Sequence, residues 1–269
     1  MFKMRLFSGI LLVVIALITI ISGGIILYFT LYIISFVGLW EFYKAVNVQT
    51  DETNFSLLTA IGYAFGILFL ELESYTLEMC IVFLILLMGT YVFAFPKYKA
   101  EQIMAAFFGV FYVPVMLFYI YKTRMLMNGQ YLVWLIFICS WGCDTCAYCV
   151  GMLIGKHKLA PKLSPKKSIE GAIGGVVGAG LMGGIYAAVV GKYLIVEGNQ
   201  VVVYAVICAI GAVISQIGDL AASAIKRNHD IKDYGTLIPG HGGILDRFDS
   251  VIFTAPVVYI LSTVLLERI

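Results

Sequence analysis

Residues 6–40 form one apolar segment that contains no Asp, Glu, Lys or Arg. A helix that crosses a bilayer needs about 20 predominantly apolar residues, so this segment is too long for one helix. Its Ser22-Gly23-Gly24 sequence predicts a turn inside it. Apolar residues make up 61% of the 269-residue chain, against roughly 45–50% in soluble domains. The chain is therefore predicted to be an all-α polytopic membrane protein.

The apolar stretches predict about nine transmembrane helices. Their predicted positions are residues 6–21, 25–44, 56–70, 77–95, 102–121, 130–153, 171–191, 200–226 and 249–267. We expect one membrane domain over residues 1–269, with scaffold helices in 1–130 and the chemistry in 131–269. The reason is that residues 140–170 and 215–250 hold nearly all of the intramembrane charge, the histidines and the long loops.

Positive charge predicts the orientation, because short cytoplasmic loops of membrane proteins are enriched in Lys and Arg. With a cytoplasmic N-terminus, 14 of the 18 Lys and Arg residues lie on the cytoplasmic side and 4 lie outside. The four outside are Lys122, Arg124, Lys192 and Arg268. We therefore expect a multi-pass protein of the cell (inner) membrane. The net charge of +2 is too small for a general nucleic-acid-binding protein, so no nucleic-acid partner is expected.

Two aspartates lie within predicted apolar helices. They are Asp219, in the stretch 213–222, and Asp144, in the stretch 141–148. An unpaired carboxylate at that depth costs about 3 kcal/mol or more, so each is expected to face a polar cavity with a partner. Alternatives remain open for both. Asp219 could lie near a helix end and pair with Lys226, and Asp144 could form a simple interhelical ion pair or hydrogen bond.

A segment near the C-terminal end combines cations, a glycine-rich turn and carboxylates. It contains, in order, Lys226, Arg227, Pro239, His241, Gly242, Gly243, Asp246, Arg247 and Asp249. Gly242-Gly243 lets the backbone approach a ligand closely, and Asp246 and Asp249 share one face if the last helix begins there. Carboxylates beside basic residues are typical of a site for Mg²⁺ and phosphate. A charged loop that leads into a helix N-terminus explains the same composition equally well.

A second basic element runs from Lys156 to Glu170. Its Lys residues are suited to a cytoplasmic loop that binds anionic lipid. The alternation of Ser164 and Ser168 with Lys166 and Lys167 also suits phosphate binding, because hydroxyl and ammonium donors lie side by side. Ser168 is placed to cap the next helix. That helix is rich in glycine, which predicts close packing against the helices of the site.

Three segments together resemble the signature of the phosphatidate cytidylyltransferase (CDP-diacylglycerol synthase) family. The first reads Ser223-x-x-Lys226-Arg227, Lys232-Asp233 and Pro239-x-His241-Gly242-Gly243-x-x-Asp246-Arg247-x-Asp249. The second, residues 164–171, resembles the family's Ser-Pro-Lys-Lys-Ser/Thr-x-Glu-Gly loop. The third, Asp144 with Ala147-Tyr148, resembles its Asp-x-x-Ala-Tyr helix. The resemblance covers residues 140–250, and the first half matches only in being apolar helices.

The resemblance implies a nucleotidyltransferase of phospholipid biosynthesis that converts CTP and phosphatidate into CDP-diacylglycerol and pyrophosphate. It also implies Mg²⁺ and a second cation, either K⁺ or another Mg²⁺, and it leans toward a homodimer. We expect the lipid phosphate to attack the α-phosphate of CTP in line, at a site that faces the cytoplasm.

The family signature also assigns expected roles to individual residues. Asp219 and Asp246 are expected to bind metal, and Asp144 and Asp249 are candidates for outer or further metal contacts. The groups expected to hold the CTP phosphates are Ser164, Lys166, Lys167 and Ser168. Phosphates of either substrate are assigned to Lys226, Arg227, His241 and Arg247. The substrate-binding set is completed by Ser223, Gly242 and Gly243.

Two other functions compete with this interpretation. A CTP-dependent polyprenol kinase would use the same nucleotide and a membrane alcohol, but it would release CDP and leave no CMP on the lipid. A membrane transporter is the alternative outside enzymes, and it leaves the Lys/Ser loop and the Gly-His-Gly-Gly turn unexplained. A CDP-alcohol phosphotransferase would need an Asp-Gly-x-x-Ala-Arg pattern, which the sequence lacks.

Overall fold

The computed structural model describes residues 2–48, 56–71, 75–193, 199–238, 240 and 242–266, without the side chains of 2–8, 10 and 71. Within these ranges the chain forms nine long helices, the number predicted. They are α1 (Phe2–Ser22), α2 (Gly24–Ala45), α3 (Leu57–Glu71), α4 (Thr76–Phe93), α5 (Ala100–Met125), α6 (Gly129–Ile154), α7 (Ile169–Val190), α8 (Gln200–Asn228) and α9 (Leu245–Leu266). The strands are β1 (Lys158–Ala160) and β2 (Ser164–Ser168).

The helices have the length and surface of a multi-pass membrane protein. Seven of those described, α2 and α4 to α9, are long and apolar enough to cross a bilayer, and α1 and α3 contribute shorter apolar segments. Large aliphatic side chains point outward along several helices, with Ile25 70% and Ile185 65% exposed. Such a surface is stable against lipid tails and unstable against water. The fold-class prediction is confirmed.

Two of the helices contain a π-helical turn. In α5 the turn spans Phe111–Val115 and includes Pro114, which cannot donate a backbone hydrogen bond. In α6 the turn spans Ile138–Gly142 and ends two residues before Asp144. A π turn inserts one residue into the helical repeat and so rotates the side chains that follow. The second turn therefore sets the direction of the site-bearing half of α6.

The connection between α6 and α7 is a small β-hairpin, whereas the sequence predicted only a basic loop. Strands β1 and β2 pair antiparallel, with Lys158 opposite Ser168 and Ala160 opposite Ser164. The backbone groups of this loop therefore satisfy one another instead of depending on water. The hairpin holds the Lys/Ser sequence in a fixed extended conformation.

Helix α7 packs between α6 and α8 on two separate glycine faces, as its composition predicts. A Cβ on Gly175 would meet Cys143 of α6, and a Cβ on Gly183 would meet Cys208 of α8. Small residues allow helix backbones to approach closely in a membrane, where hydrophobic burial gives little driving force. The glycine faces are therefore used for packing within the chain.

We expect Gly183→Ala to destabilise the protein and Gly180→Ala, its matched control, to be tolerated. A Cβ on Gly183 would lie 2.8 Å from the Tyr204 carbonyl oxygen, whereas one on Gly180 would have no neighbour closer than 3.4 Å. Overpacking costs about 1–3 kcal/mol, while alanine gains up to about 1 kcal/mol over glycine in helix propensity. Thermal unfolding in detergent measures both effects. Equal unfolding temperatures for the two variants would contradict this packing.

Candidate active site

A cavity of about 400 Å³ lies between the β-hairpin and helices α6, α7 and α8. We call it the hairpin cavity. Its lining includes Ser164, Lys166, Lys167 and Ser168 from β2, Asp144 from α6, and Gln216 and Asp219 from α8. The structure thus brings all four residues assigned to the CTP phosphates into one cavity with two of the four predicted carboxylates.

Asp219 is paired across this cavity. Its carboxylate forms an ion pair with the Lys167 ammonium group, and each side chain is 25% exposed. One turn earlier on α8, Gln216 Nε2 donates a 2.9 Å hydrogen bond to the Ala172 carbonyl oxygen of α7. Asp219 therefore has a cationic partner in the hairpin, and the alternative pairing with Lys226 is wrong.

The hairpin is fastened to the start of α7 by two side chains. Ser168 Oγ accepts a 3.2 Å hydrogen bond from the Gly171 N–H, which confirms the predicted cap. The Glu170 carboxylate accepts the backbone N–H groups of Lys156 and His157 and lies 2.5 Å from His157 Nδ1. These bonds fix the base of the hairpin and hence the position of its lysines.

A second cluster forms where α8 meets the start of α9. Lys226 Nζ donates a 2.9 Å hydrogen bond to Asp246 Oδ1 and lies 3.8 Å from Asp249 Oδ2. The Lys226 and Asp246 side chains are only 11% and 2% exposed. Asp246 and Asp249 therefore share one helix face, as their spacing predicts. The helix begins at Leu245, four residues earlier than predicted, and so includes both carboxylates.

Asp246 also organises the loop between α8 and α9. Its second oxygen, Oδ2, accepts the backbone N–H groups of Tyr234 at 2.8 Å and Gly243 at 3.0 Å. Gly242 adopts a positive φ of +81°, and this turn directs the Gly243 N–H group toward Asp246. The Tyr234 hydroxyl donates to the Ala222 carbonyl oxygen, and burial raises the pKa of Tyr234 far above its usual range, which keeps the phenol a donor.

A further cavity of about 260 Å³ lies between α1 and the start of α9. We call it the α1–α9 cavity. Arg247, Asp246 and Asp249 line it together with Trp141. The Arg247 Nε atom is buried and has no hydrogen-bond partner in the described part of the chain. The Nε–H group of Arg247 is therefore an unsatisfied donor within the described part of the chain.

Asp144 lines both cavities. Its side chain is exposed, and its carboxylate forms no hydrogen bond or ion pair with the residues that the structure describes. It interacts electrostatically with Asp219, Lys167 and Arg247. The simple interhelical ion pair considered for Asp144 is thus absent from the described ranges. The residue stands between a lysine-lined cavity and an arginine-lined one.

The other predicted residues lie near the second cluster or outside the description. Ser223 is one turn before Lys226 on α8 and lines neither cavity, and Arg227 is exposed and donates to the Ile231 carbonyl oxygen at 3.2 Å. Gly243 is buried beside Asp246. His241, with Pro239, lies outside the described residues, so its assigned role stays a prediction.

The arrangement of the carboxylates fits an open Mg²⁺ site better than a metal site enclosed entirely by protein ligands. No three His, Cys, Asp or Glu side chains in the described ranges lie close enough together to hold one ion. Mg²⁺ usually binds through one or two carboxylates, several waters and substrate phosphates, and the unpaired carboxylate of Asp144 fits that pattern. Asp246 would have to release Lys226 before it could bind a cation, so its metal role also stays a prediction.

The family model described as "Cytidylyltransferase family" matches residues 3–265. The chain belongs to this family. It is 30% identical to the phosphatidate cytidylyltransferase of Staphylococcus saprophyticus, over 96% of this chain and 98% of the relative. Its identity to the corresponding protein of Bacillus subtilis is also 30%, over 96% of this chain and 97% of the relative. The resemblance inferred from the sequence and the assignment to the nucleotidyltransferases are confirmed, and the similarity includes the apolar first half.

One residue of this cytidylyltransferase that the sequence analysis missed comes from that first half. Glu41, on α2, is only 6% exposed. Its two oxygens accept the backbone N–H groups of Ile244 at 3.1 Å and Leu245 at 2.8 Å, which cap α9. The sequence signal was present, because a carboxylate in an apolar helix marks a functional position. Glu41 is a positioning residue for the loop and helix that carry Asp246 and Arg247.

We expect Glu41→Gln to lower turnover about tenfold or more and to lower the unfolding temperature. The amide replaces one acceptor oxygen with a donor, which leaves a buried backbone N–H unsatisfied at a cost of about 1–3 kcal/mol. The control is Glu101→Gln, an exposed carboxylate in the first turn of α5. Turnover and thermal unfolding measured on both variants test the role. A Glu41→Gln protein that behaves like the control would show that this cap is dispensable.

Proposed function

We propose that this protein transfers the CMP unit of CTP to phosphatidate and releases pyrophosphate, giving CDP-diacylglycerol. The observation that carries the proposal is the pair of cavities that meet at Asp144. One offers hydroxyl and ammonium donors for a polyphosphate, and the other offers one arginine beside a membrane-embedded helix. Membership of the cytidylyltransferase family and the printed names of the relatives support the same reaction.

CTP is assigned to the hairpin cavity. Lys166 and Lys167 supply two positive charges, and Ser164 and Ser168 supply hydroxyl groups at the same wall. The start of α7 adds backbone N–H groups and a positive helix end, both of which favour phosphate. Lys167 is then in a position to exchange its ion pair with Asp219 for a phosphate oxygen. The cavity itself therefore supplies the positive charges that would balance the phosphates of CTP.

The phosphatidate headgroup is assigned to the α1–α9 cavity. Arg247 is the only Lys or Arg among the described residues that line it. Its guanidinium matches the geometry of a phosphate monoester, which it can bind through two parallel hydrogen bonds. Lys226 is less suited to this task because Asp246 and Asp249 already hold it. We therefore give Lys226 the role of anchoring the loop.

The reaction requires positioning more than covalent chemistry. An oxygen of the lipid phosphate forms a bond to the α-phosphorus of CTP, and the bond from that phosphorus to the bridging oxygen of the β-phosphate breaks. Pyrophosphate leaves with the electron pair. A phosphate monoester is already ionised near neutral pH, so no general base is needed. The protein must align two anions that repel one another. Arg247 would hold the lipid phosphate, and the hairpin lysines would hold the phosphates of CTP.

The carboxylates of Asp144 and Asp219 are proposed to hold Mg²⁺, with Asp246 and Asp249 as further candidates. When bound, Mg²⁺ would neutralise charge on the phosphates and on the leaving pyrophosphate. A second cation, a cytoplasmic orientation of the site and a homodimer remain part of the proposal. The orientation is supported by the distribution of Lys and Arg, and the dimer by the family resemblance alone.

The function is tested by CTP turnover of the purified protein in detergent, with phosphatidate and with or without Mg²⁺. We expect Mg²⁺-dependent release of pyrophosphate together with a lipid that carries CMP, and we expect both products to vanish when EDTA removes the metal. Release of CDP with a phosphorylated lipid would identify a kinase instead. No CTP consumption by folded protein would overturn the proposal.

The assignment of substrates to cavities is tested by a pair of variants. Arg247→Ala is expected to raise the KM for phosphatidate about tenfold or more, since a charged hydrogen bond is lost, and to leave the KM for CTP within about twofold. Lys166→Ala, which removes a charge from the hairpin cavity, is expected to show the reverse pattern. Each variant serves as the control for the other. If both variants raise the same KM, the assignment is wrong.

A further inference from the structure

An apolar groove adjoins the α1–α9 cavity. It has a volume of about 260 Å³ and lies between α1 and α2, with further lining from α5, α6 and α9. We call it the aliphatic groove. Leu12, Ala16 and Phe248 line both the groove and the α1–α9 cavity. The two cavities are therefore adjacent, and Arg247 lines the polar one.

The groove offers no free hydrogen-bonding group from its side chains. Thr19 and Thr30 are the only polar side chains among the described lining residues. Thr19 Oγ1 donates to the Ile15 carbonyl oxygen at 2.9 Å, and Thr30 Oγ1 donates to the Ile26 carbonyl oxygen at 2.7 Å. Both hydroxyls are thus satisfied within their own helices. A polar ligand would lose its water in this groove without compensation, whereas a hydrocarbon chain would lose nothing.

One side of the groove opens toward the bilayer and the other end is closed. Ile15 and Ile33 on its rim are 43% and 63% exposed. At the closed end, Ile20 and Leu27 are buried beside the turn between α1 and α2. Arg124 of α5 holds this turn, because its Nε donates to the Ile20 carbonyl oxygen at 3.2 Å. A chain can therefore enter from the lipid side and end against a fixed floor.

We propose that the aliphatic groove binds an acyl chain of the phosphatidate substrate while Arg247 holds its phosphate. This inference rests on the proposed function. Because Leu12, Ala16 and Phe248 line both cavities, the space for the headgroup lies directly beside the space for the chain. The lipid is then held at both its charged end and its apolar end, which positions the nucleophile more firmly than either contact alone. Ala16 is the small residue at the junction.

Binding is tested by photolabelling of the full-length protein, which needs no turnover. The probe is phosphatidate with a diazirine in one acyl chain, added in mixed micelles and mapped by peptide mass spectrometry. We expect labels on α1 and α2 between residues 12 and 34. Unmodified phosphatidate should compete for labelling, and phosphatidylcholine at the same concentration should not. Labels concentrated on residues that do not line the groove, or equal competition by phosphatidylcholine, would overturn the proposal.

A matched pair of variants tests the junction. Ala16→Phe fills the passage and should lower labelling of α1 and α2 about tenfold, while Ile18→Phe, on a side chain that is 58% exposed and outside the groove, should change it less than about twofold. Ala16→Phe should also raise the KM for dioleoyl phosphatidate much more than the KM for a dihexanoyl analogue or for CTP. Equal effects on long and short chains would contradict the groove.

The two proposals fail in different ways. Labelling of α1 and α2 without any CTP turnover would overturn the proposed reaction and leave the lipid site in place. Turnover without such labelling would overturn the groove and leave the reaction in place. Comparing the thermal unfolding of Ala16→Phe with that of Ile18→Phe shows whether Ala16→Phe is folded. If Ala16→Phe does not fold, the competition experiment on the unsubstituted protein still tests whether the groove binds the lipid.

Discussion

The buried ion pair between Lys226 and Asp246 is the interaction on which the rest of the site depends. It joins the end of α8 to the start of α9, and the same carboxylate gathers the backbone of the loop between them. A buried charge that loses its partner typically costs about 3–5 kcal/mol. Because Asp249 and the ring of Tyr234 also contact Lys226, the pair is embedded in a wider set of contacts. The position of Arg247 follows from this arrangement, since it is the next residue on α9.

The two parts of the site use their charges differently. In the second cluster, the lysine and the carboxylates neutralise one another in a buried place and hold the backbone. In the hairpin cavity, Lys167 and Asp219 neutralise one another where both remain partly exposed. Under the proposed function this partly exposed pair would separate when phosphate and metal bind, because each partner would then gain a new counter-charge. An ion pair of this kind keeps membrane-depth charges tolerable before the substrates bind.

Much of this arrangement could be predicted from the sequence, and the misses have physical reasons. The helices follow from long apolar segments, and the glycine faces of α7 and the cap at Ser168 follow from local patterns. The pairing of Asp219 with Lys167 could not be predicted, because it depends on a hairpin whose strands are short and polar. Glu41 stands out as a carboxylate in an apolar helix, but its partners are backbone groups of another helix, so no motif indicates its role. The start of α9 was placed too late for the same reason, since Glu41 and Asp246 satisfy the N–H groups there.

The bonds from Glu41 to α9 connect parts of the chain that are 203 and 204 residues apart. Helices of a growing chain are made in order from the N-terminus, so α9 is synthesised after the other eight described helices. Until it is in place, the Glu41 carboxylate lacks its two backbone donors and Lys226 lacks Asp246. The α1–α9 cavity is therefore completed only when α9 is in place, whereas every residue that lines the hairpin cavity has been synthesised before it.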